Sequence, residues 1–424
     1  MLSKEQNDLL TQTGAGTAGG RFMRSYWQPV ATSDELPVGG PPRPVRVFGE
    51  DLVLFRDEEG RIGLLAIHCA HRAVDLSYGR VEDGGLRCLY HGWLYDVNGR
   101  CLEQPGEPAG STFKDRVRQR SYPCQEKGGL IFAFMGEGEP PLLPAYEFLE
   151  VPEENRWITT TIHNCNYQQA NEGNFDPIHT SFLHKMFKEG EWTARKSKAV
   201  LGADLSPNQL YGADVAPRQE LEETDFGLRV YSIRQVGPGK YYRRVTNLIL
   251  PSIAAVPGQT GGEGYTVNWY VPIDDTHHLK YRIMFSRERP LDREWFMQQD
   301  AKEIKPDHEM TRTAENRYLQ DREEMNGVSF SGMGPNFQAQ DSWAAETAGP
   351  IQDRTVERLG QSDRALIQMR RVLLRAIEDI VDGGEARHIV RDPARNDMSH
   401  LIAVADMITD PEAWRLEPKA PVRA

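Results

Sequence analysis

The chain has 424 residues, enough for two or three domains with sizeable cores, and its 39% apolar and 9% aromatic content is that of a globular protein. A formal charge of −12 argues against nucleic acid as a partner. No apolar run approaches the roughly 20 residues that span a bilayer, and the opening MLSKEQNDLL has no charged leader before an apolar stretch, so a cytoplasmic protein without a membrane partner is expected.

In chain order, SKEQNDLLTQT predicts a first helix, with Ser3 as cap and Gln6 completing a capping box. Residues 14 to 19, GAGTAG, match a dinucleotide fingerprint literally, but that motif needs a strand before it. After a helix, glycine is a common stop, so a nicotinamide cofactor is expected on a different protein. From Trp27 to Gly136 the signals are β: short apolar and β-branched runs broken by turn residues, with Asn98-Gly99 marking a hairpin. Residues 137–155 are rich in Pro and Glu and read as a linker or domain edge. Beyond them RWITTTIH, GLRVYSIRQV, YYRRVTNLIL, YTVNWYVPI and HLKYRIMF predict strands. The clearest helix is SDRALIQMRRVLLRAIEDIVDGG, capped by Ser362 or Asp363 and ended by Gly383, with Leu366, Met369, Leu373, Ile377 and Ile380 at helical spacing. The fold class is α+β: an all-β domain, then an α+β domain.

Five cysteines, an odd and sparse set, point to reduced thiols and to metal binding before disulfides. Residues 69 to 91 read CAHRAVDLSYGRVEDGGLRCLYH, which sets Cys69-x-His71 and Cys88-x-x-His91 sixteen residues apart. Each pair supplies one thiolate and one imidazole from a tight loop. A tetrahedral zinc site uses these ligand types, as does a Rieske [2Fe–2S] centre with both imidazoles on one iron. Zinc fingers usually pair Cys with Cys and His with His, whereas each loop here mixes them in a β setting, which favours the cluster. Tyr90 and Trp93 flank the last ligand as shielding or plain core. Cys101, Cys124 and Cys165 lack partner spacing and read as buried small hydrophobes.

A second constellation, NEGNFDPIHTSFLH over residues 171–184, brings together Asp176, His179 and His184. Two histidines and a carboxylate are the ligands of a non-haem Fe(II) facial triad, which leaves positions open for O2 and substrate. On an ideal helix, residues five apart are rotated by about 140°, so a break or π-bulge between Asn166 and His184 is expected. Asp176-Pro177 fits an N-cap followed by proline at the first helical position. The bland reading is a capping Asp176 and two satisfied core histidines. On local grounds Asp176 is either the third ligand or a group that receives an imidazole N–H; spacing does not decide.

Together the two motifs resemble the oxygenase component of Rieske non-haem iron aromatic-ring oxygenases, most closely the phthalate-dioxygenase-like branch. The resemblance runs through RSYWQPVATSDELP, FGEDLVLFRDEEG, CAHR, CLYHGWLYDVNG, EGNFDPIHTSFLH and QDSWAAETAGPIQDRTVERLGQSD, nearly the whole chain. It departs at Ala70, where the family usually has proline or another residue.

The resemblance implies an N-terminal helix and loop (1–20), an all-β Rieske domain (21–148) and a catalytic domain (149–424) with a curved antiparallel sheet surrounded by helices. Cys69, His71, Cys88 and His91 would bind the cluster; His179, His184 and a downstream carboxylate would bind the iron. Asp341 matches that carboxylate best, with Glu346 and Asp353 as fallbacks. Asp176 would be the electron bridge to a Rieske histidine of a neighbouring subunit, in a homotrimer or a hexamer of stacked trimers. A separate flavin/iron–sulfur reductase would pass on electrons from NADH. With O2, an aromatic substrate would be dihydroxylated, monohydroxylated, O-demethylated or cleaved at a diaryl ether. The other classes are a zinc-stapled binding protein, and a Rieske ferredoxin, which needs far fewer residues.

Against the acidic average, Lys185, Lys188, Arg195, Lys196 and Lys198 follow the iron motif, and Lys240, Arg243 and Arg244 share a predicted strand. Arginine suits bidentate carboxylate binding, so Arg243 or Arg244 is the expected anchor for an aromatic carboxylate, with the lysine-rich loop read as solvated charge.

Overall fold

The computed structural model describes residues 1–188, 200–258 and 263–416. Arg195, Lys196 and Lys198 lie outside the described residues. The chain divides into two compact units, Thr13–Leu143 and Met1–Gln12 with Pro144–Ala424. The division at residues 143 and 144 falls inside the Pro- and Glu-rich stretch.

The helices are α1 (Lys4–Thr11), α2 (Ala18–Arg24), α3 (Glu147–Glu150), α4 (Tyr167–Gly173), α5 (His179–Phe182), α6 (Pro207–Ala213), α7 (Arg293–Glu303), α8 (Phe337–Glu346) and α9 (Arg364–Val381). In α1, Ser3 and Gln6 form the expected capping box. GAGTAG runs from the turn after α1 into the first residues of α2, where Thr17 accepts from the Gly20 N–H at 2.9 Å; no strand precedes it.

The Thr13–Leu143 unit is built on eleven short strands: β1 (Trp27–Thr32), β2 (Arg43–Val47), β3 (Glu50–Arg56), β4 (Ile62–Ala66), β5 (Arg80–Glu82), β6 (Gly85–Arg87), β7 (Leu94–Tyr95), β8 (Cys101–Glu103), β9 (Ser121–Tyr122), β10 (Cys124–Lys127) and β11 (Leu130–Phe134). They form three antiparallel sheets, ordered β1-β11-β10, β2-β3-β4-β9 and β5-β6-β7-β8. Asn98-Gly99 does turn β7 into β8. The Asp96 carboxylate accepts the Asn98 and Arg100 N–H groups, and Gly99 has φ +76°. A Cβ on Gly99 would fall 2.0 Å from the Gln119 carbonyl oxygen, so only glycine fits. Val53, Phe55, Leu65, Leu76, Leu86, Trp93 and Tyr95 make a core that includes Cys69 and Cys88.

The other unit holds an eight-stranded antiparallel sheet of β12 (Arg156–His163), β13 (Arg218–Thr224), β14 (Gly227–Gly237), β15 (Lys240–Ile249), β16 (Ile253–Val256), β17 (Thr266–Pro272), β18 (His278–Phe285) and β19 (Ala405–Ile408). Its order is β12-β18-β17-β16-β15-β14-β13, with β19 on β15. Helix α9 buries Met369, Leu373 and Ile377 at the predicted spacing, and Gly383 follows it at φ +80°. Among the described residues, no helix is long and apolar enough to cross a membrane.

Candidate metal centres

The first centre rests on two loops of one design. Cys69 N–H donates to the Val74 carbonyl (2.9 Å) and Ala73 N–H to the Cys69 carbonyl (2.8 Å). In the second loop Cys88 N–H donates to the Trp93 carbonyl (2.9 Å) and Gly92 N–H to the Cys88 carbonyl (3.0 Å). The fifth residue of each loop, Ala73 or Gly92, has positive φ (58° and 74°), which reverses the chain tightly. Cys69 and Cys88 are buried; His71 and His91 are exposed, with ring centroids 4.5 Å apart. Thiols on the inner side and imidazoles on the outer side fit a cluster with both histidines on one iron. Burial pushes the Cys88 thiol up, while the Tyr90 and His91 N–H groups aimed at its sulfur pull the other way.

Three further residues fix these loops. Trp93 stacks on His71 at 4.3 Å and 7°, so it is both core and shield. Tyr95 Oη lies 3.2 Å from Cys69 Sγ. Gln119 accepts the Ala70 N–H (2.8 Å) and donates to the Ala66 and His68 carbonyls. Ala70 thus has a physical reason: a proline there has no N–H to give Gln119.

The second centre forms where the helical path is broken, as the five-residue spacing predicts. Helix α4 stops at Gly173, and α5 begins only at His179, two residues later than a cap at Asp176 would set it. Asp176 instead accepts the Ile178 N–H (2.7 Å) within the intervening turn. His184 lies in the turn after α5, so its ring swings back to His179, with centroids 4.9 Å apart at 80°. Asp341, on α8, meets both: its Oδ1 is 3.2 Å from His184 Nε2 and 3.9 Å from His179 Nε2. One donor atom from each of the three lies within 4.8 Å of the others.

Of the opposite ring nitrogens, one is hydrogen-bonded and the other faces a carboxylate. His184 Nδ1 lies 2.6 Å from Gln340 Oε1, and Gln340 Nε2 donates to the Gly334 carbonyl at 2.6 Å. His179 Nδ1 faces Asp176 Oδ2 at 3.7 Å, close for charges and long for a hydrogen bond. Burial drives Asp341 up, but His184 and His179 override it and hold the carboxyl well below its usual range. Burial pulls His184 down; at His179 it is outweighed by the Asp176 and Asp341 carboxylates, which raise that imidazole. Glu346 is engaged elsewhere, 2.7 Å from Tyr318 Oη, and Asp353 accepts from Thr355.

The triad opens onto a cavity of about 350 Å³. One face of the sheet lines it, every second residue pointing in: Tyr242, Arg244 and Thr246 on β15, Thr266, Asn268 and Tyr270 on β17, Lys280 and Arg282 on β18. Parity separates the arginine pair. Arg244 faces the cavity, whereas Arg243 faces away and is held by Asp406 (2.5 and 2.9 Å) and the Trp414 carbonyl (2.9 Å). Lys185 and Lys188 are exposed. Sequence reasoning missed Gln340, Gln119, Lys280 and Arg282.

Residues 26–123 match the Rieske [2Fe-2S] domain family, and residues 133–422 match a family described as LigXa C-terminal domain like. Among curated proteins, the chain is 37% identical to the phthalate 4,5-dioxygenase oxygenase subunit of Pseudomonas putida, over 91% of this chain and 88% of that one. It is 34% identical to the 5,5'-dehydrodivanillate O-demethylase oxygenase subunit of a Sphingobium species, over 93% and 85%. The terminal oxygenase of carbazole 1,9a-dioxygenase from Nocardioides aromaticivorans shares the fold at a TM-score of 0.60 and 19% identity, covering 88% of this chain and 96% of that one. These matches set aside the zinc-stapled and ferredoxin readings. The chain belongs to the Rieske non-haem iron oxygenases, as an oxygenase component of the phthalate-dioxygenase-like branch that takes a Rieske [2Fe–2S] cluster and a mononuclear iron.

Proposed function

We propose that this oxygenase component hydroxylates an aromatic carboxylate with O2, using electrons that a separate reductase draws from NADH in the cytoplasm. Cys69, His71, Cys88 and His91 hold the cluster, and His179, His184 and Asp341 hold the iron. When bound, the cluster relays single electrons and the ferrous ion activates O2. Gln340 accepts the His184 Nδ1–H and fixes the tautomer that leaves Nε2 free as a donor. Asp176 faces His179 Nδ1 as a charge at 3.7 Å, and with its side chain 39% exposed it keeps an edge for an imidazole of a second copy. That contact calls for a closed head-to-tail ring, a homotrimer or two stacked trimers.

The carrying observation is that the cavity into which His179, His184 and Asp341 point also holds the Arg244 guanidinium. Burial acts to weaken that cation, but the Tyr211 and Tyr242 phenols outweigh it and shift the guanidinium upward. A carboxylate paired with Arg244 would turn the ring toward the triad. The 34% identical O-demethylase supports a second outcome for the same site, release of a methyl group as formaldehyde from a methoxy acid.

The test is product analysis with NADH and a reductase on benzoate-type, methoxybenzoate and neutral arenes, for wild type and Arg244→Ala. Oxidation confined to acids, with KM raised at least tenfold in the variant, supports the reading. Equal turnover of acids and neutral arenes, indifferent to Arg244, overturns it.

A further inference from the structure

Of the two triad histidines, only one is oriented through its own ring. His184 Nδ1 is paired with Gln340. His179 Nδ1 is buried without a hydrogen-bond partner and meets the Asp176 carboxylate only at 3.7 Å. The direction of the His179 ring therefore rests on its backbone, and that backbone holds itself poorly. Helix α5 is a single turn of four residues, against the roughly 12–15 at which a helix begins to sustain itself. Residues 174–178 before it are turns and bends, and Pro177 has no N–H to bond back into the chain.

The missing support comes from the sheet. Arg234, on β14, is fully buried at 0% exposure. Its Nη2 donates to the Pro177 carbonyl (2.5 Å), the Thr180 hydroxyl (3.2 Å) and the Ser181 hydroxyl (3.4 Å), which lie on both sides of His179 in the chain. Thr180 Oγ1 donates to the same Pro177 carbonyl at 2.7 Å and closes the turn. The other two nitrogens fix the guanidinium itself: Nε donates to the Asp214 carbonyl just past α6 (3.0 Å), and Nη1 to the Ser232 hydroxyl (3.1 Å). Its Cζ also lies 5.3 Å from the centroid of the Tyr211 ring. One planar fork thus ties the turn to β14 and to the end of α6 at once.

Packing alone does not account for this residue. The partners of Arg234 are carbonyls and hydroxyls, with no carboxylate among them, and burial pulls the guanidinium down. A buried cation in such a place is costly, and an apolar side chain of similar volume would fill the space at less cost. Nor does Arg234 line the cavity, although Val230 and Ser232, of the same parity on β14, do. Its donors are spent on the backbone and hydroxyls around His179.

We infer that Arg234 is a positioning residue for the metal triad: through Pro177, Thr180 and Ser181 it sets the backbone of His179, and so the direction of Nε2. The inference rests on the reading of His179, His184 and Asp341 as the iron ligands. It gives His179 the support that Gln340 gives His184, by a different route.

Cobalt(II) reads the site without turnover, titrated into the full chain with its cluster oxidised and its iron removed by chelation. The cobalt EPR spectrum reports the ligand geometry. Arg234→Met should weaken cobalt binding at least tenfold, the scale of lost support behind a metal ligand, and alter the spectrum while far-UV circular dichroism and cluster absorbance stay as in wild type. Thr180→Val with Ser181→Ala attacks the same contacts from the turn and leaves the arginine in place; it should shift affinity and spectrum in the same direction. Wild-type affinity and spectrum in Arg234→Met, or in the Thr180/Ser181 pair where the arginine variant does not fold, overturns the clamp. His179→Ala separates the two claims. Cobalt bound as in wild type by His179→Ala would bring down the triad reading and the clamp with it; cobalt lost there but retained in the Arg234 and Thr180/Ser181 variants would bring down the clamp alone.

Discussion

Gln340 Oε1 stands 2.6 Å from His184 Nδ1, so the residue next to Asp341 in sequence orients another member of the same triad. Substitution of such outer partners typically costs about 10–100-fold in metal affinity or activity. Gln340→Leu should therefore lower iron per chain at limiting iron and slow turnover by about that factor. Cluster absorbance should stay at wild-type strength, because Cys69 and Cys88 belong to the chain's other compact unit and make no contact with Gln340 among its hydrogen bonds. Full iron occupancy with unchanged activity would remove the orienting role.

Asp176 touches His179 without belonging to the close triad. Asp176→Asn should keep both metals, yet re-oxidation of the reduced cluster under O2 and substrate, followed by stopped-flow absorbance, should slow by about 100-fold. A normally coupled variant would refute the bridge. Loss of iron in the variant would instead mean that Asp176 is needed to hold the site.

Tyr95 Oη approaches Cys69 Sγ at 3.2 Å inside the Rieske domain core. Hydrogen bonds to the sulfurs help set the potential of such clusters. Tyr95→Phe removes one and should shift the reduction potential in the negative direction, read by protein-film voltammetry, without loss of the cluster. An unmoved potential would show that the phenol is merely packed there.

Helix α4, which leads into the iron turn, is pinned by a buried carboxylate. Glu172 receives Arg354 (3.1 Å) and Arg370 (2.7 and 2.8 Å), all three deep in the catalytic unit. Burial pushes Glu172 up, but Arg354 and Arg370 prevail and hold it at about 2, against 4.5 unperturbed. The folded value is depressed, so this stabilisation is complete above about 4.5 and fades as pH falls toward 2. Glu172→Gln strands two buried guanidinium groups and should cost about 3–5 kcal/mol at neutral pH. Urea midpoints for wild type and variant should converge as pH drops below 4.5; a constant gap would contradict the ion-pair account.

Arg243, the neighbour that points away from the cavity, makes the opposite prediction to Arg244. Arg243→Ala breaks the pair with Asp406 and should lower stability by about 2 kcal/mol, the scale of a hydrogen bond to a charged group. Its KM for an aromatic acid should remain that of wild type. A raised KM at unchanged stability would reverse the roles of the two arginines.

Local chemistry explains what the sequence made legible. The ligand types of each metal motif sit in one short loop or broken helix, so spacing alone singled out Cys69, His71, Cys88, His91, His179 and His184 as candidates. Asp341 is far away in sequence, and only the family pattern pointed to it. Arg243 and Arg244 were inseparable because a strand alternates faces, and nothing local says which face is buried. HLKYRIMF alternates polar and apolar residues like a half-buried strand, whose polar side normally meets water. Here that side meets the cavity, so Lys280 and Arg282 looked like ordinary surface charges. Gln340 and Gln119 carried no signal at all, since their roles depend on atoms brought close by the fold.

The cavity floor is one face of a sheet, while the side chains proposed to hold the iron come from α5, the turn after it, and α8. Recognition and reactivity are therefore written on different pieces of the polypeptide. Single exchanges on alternate strand positions can retune which molecules are accepted while the redox machinery stays intact.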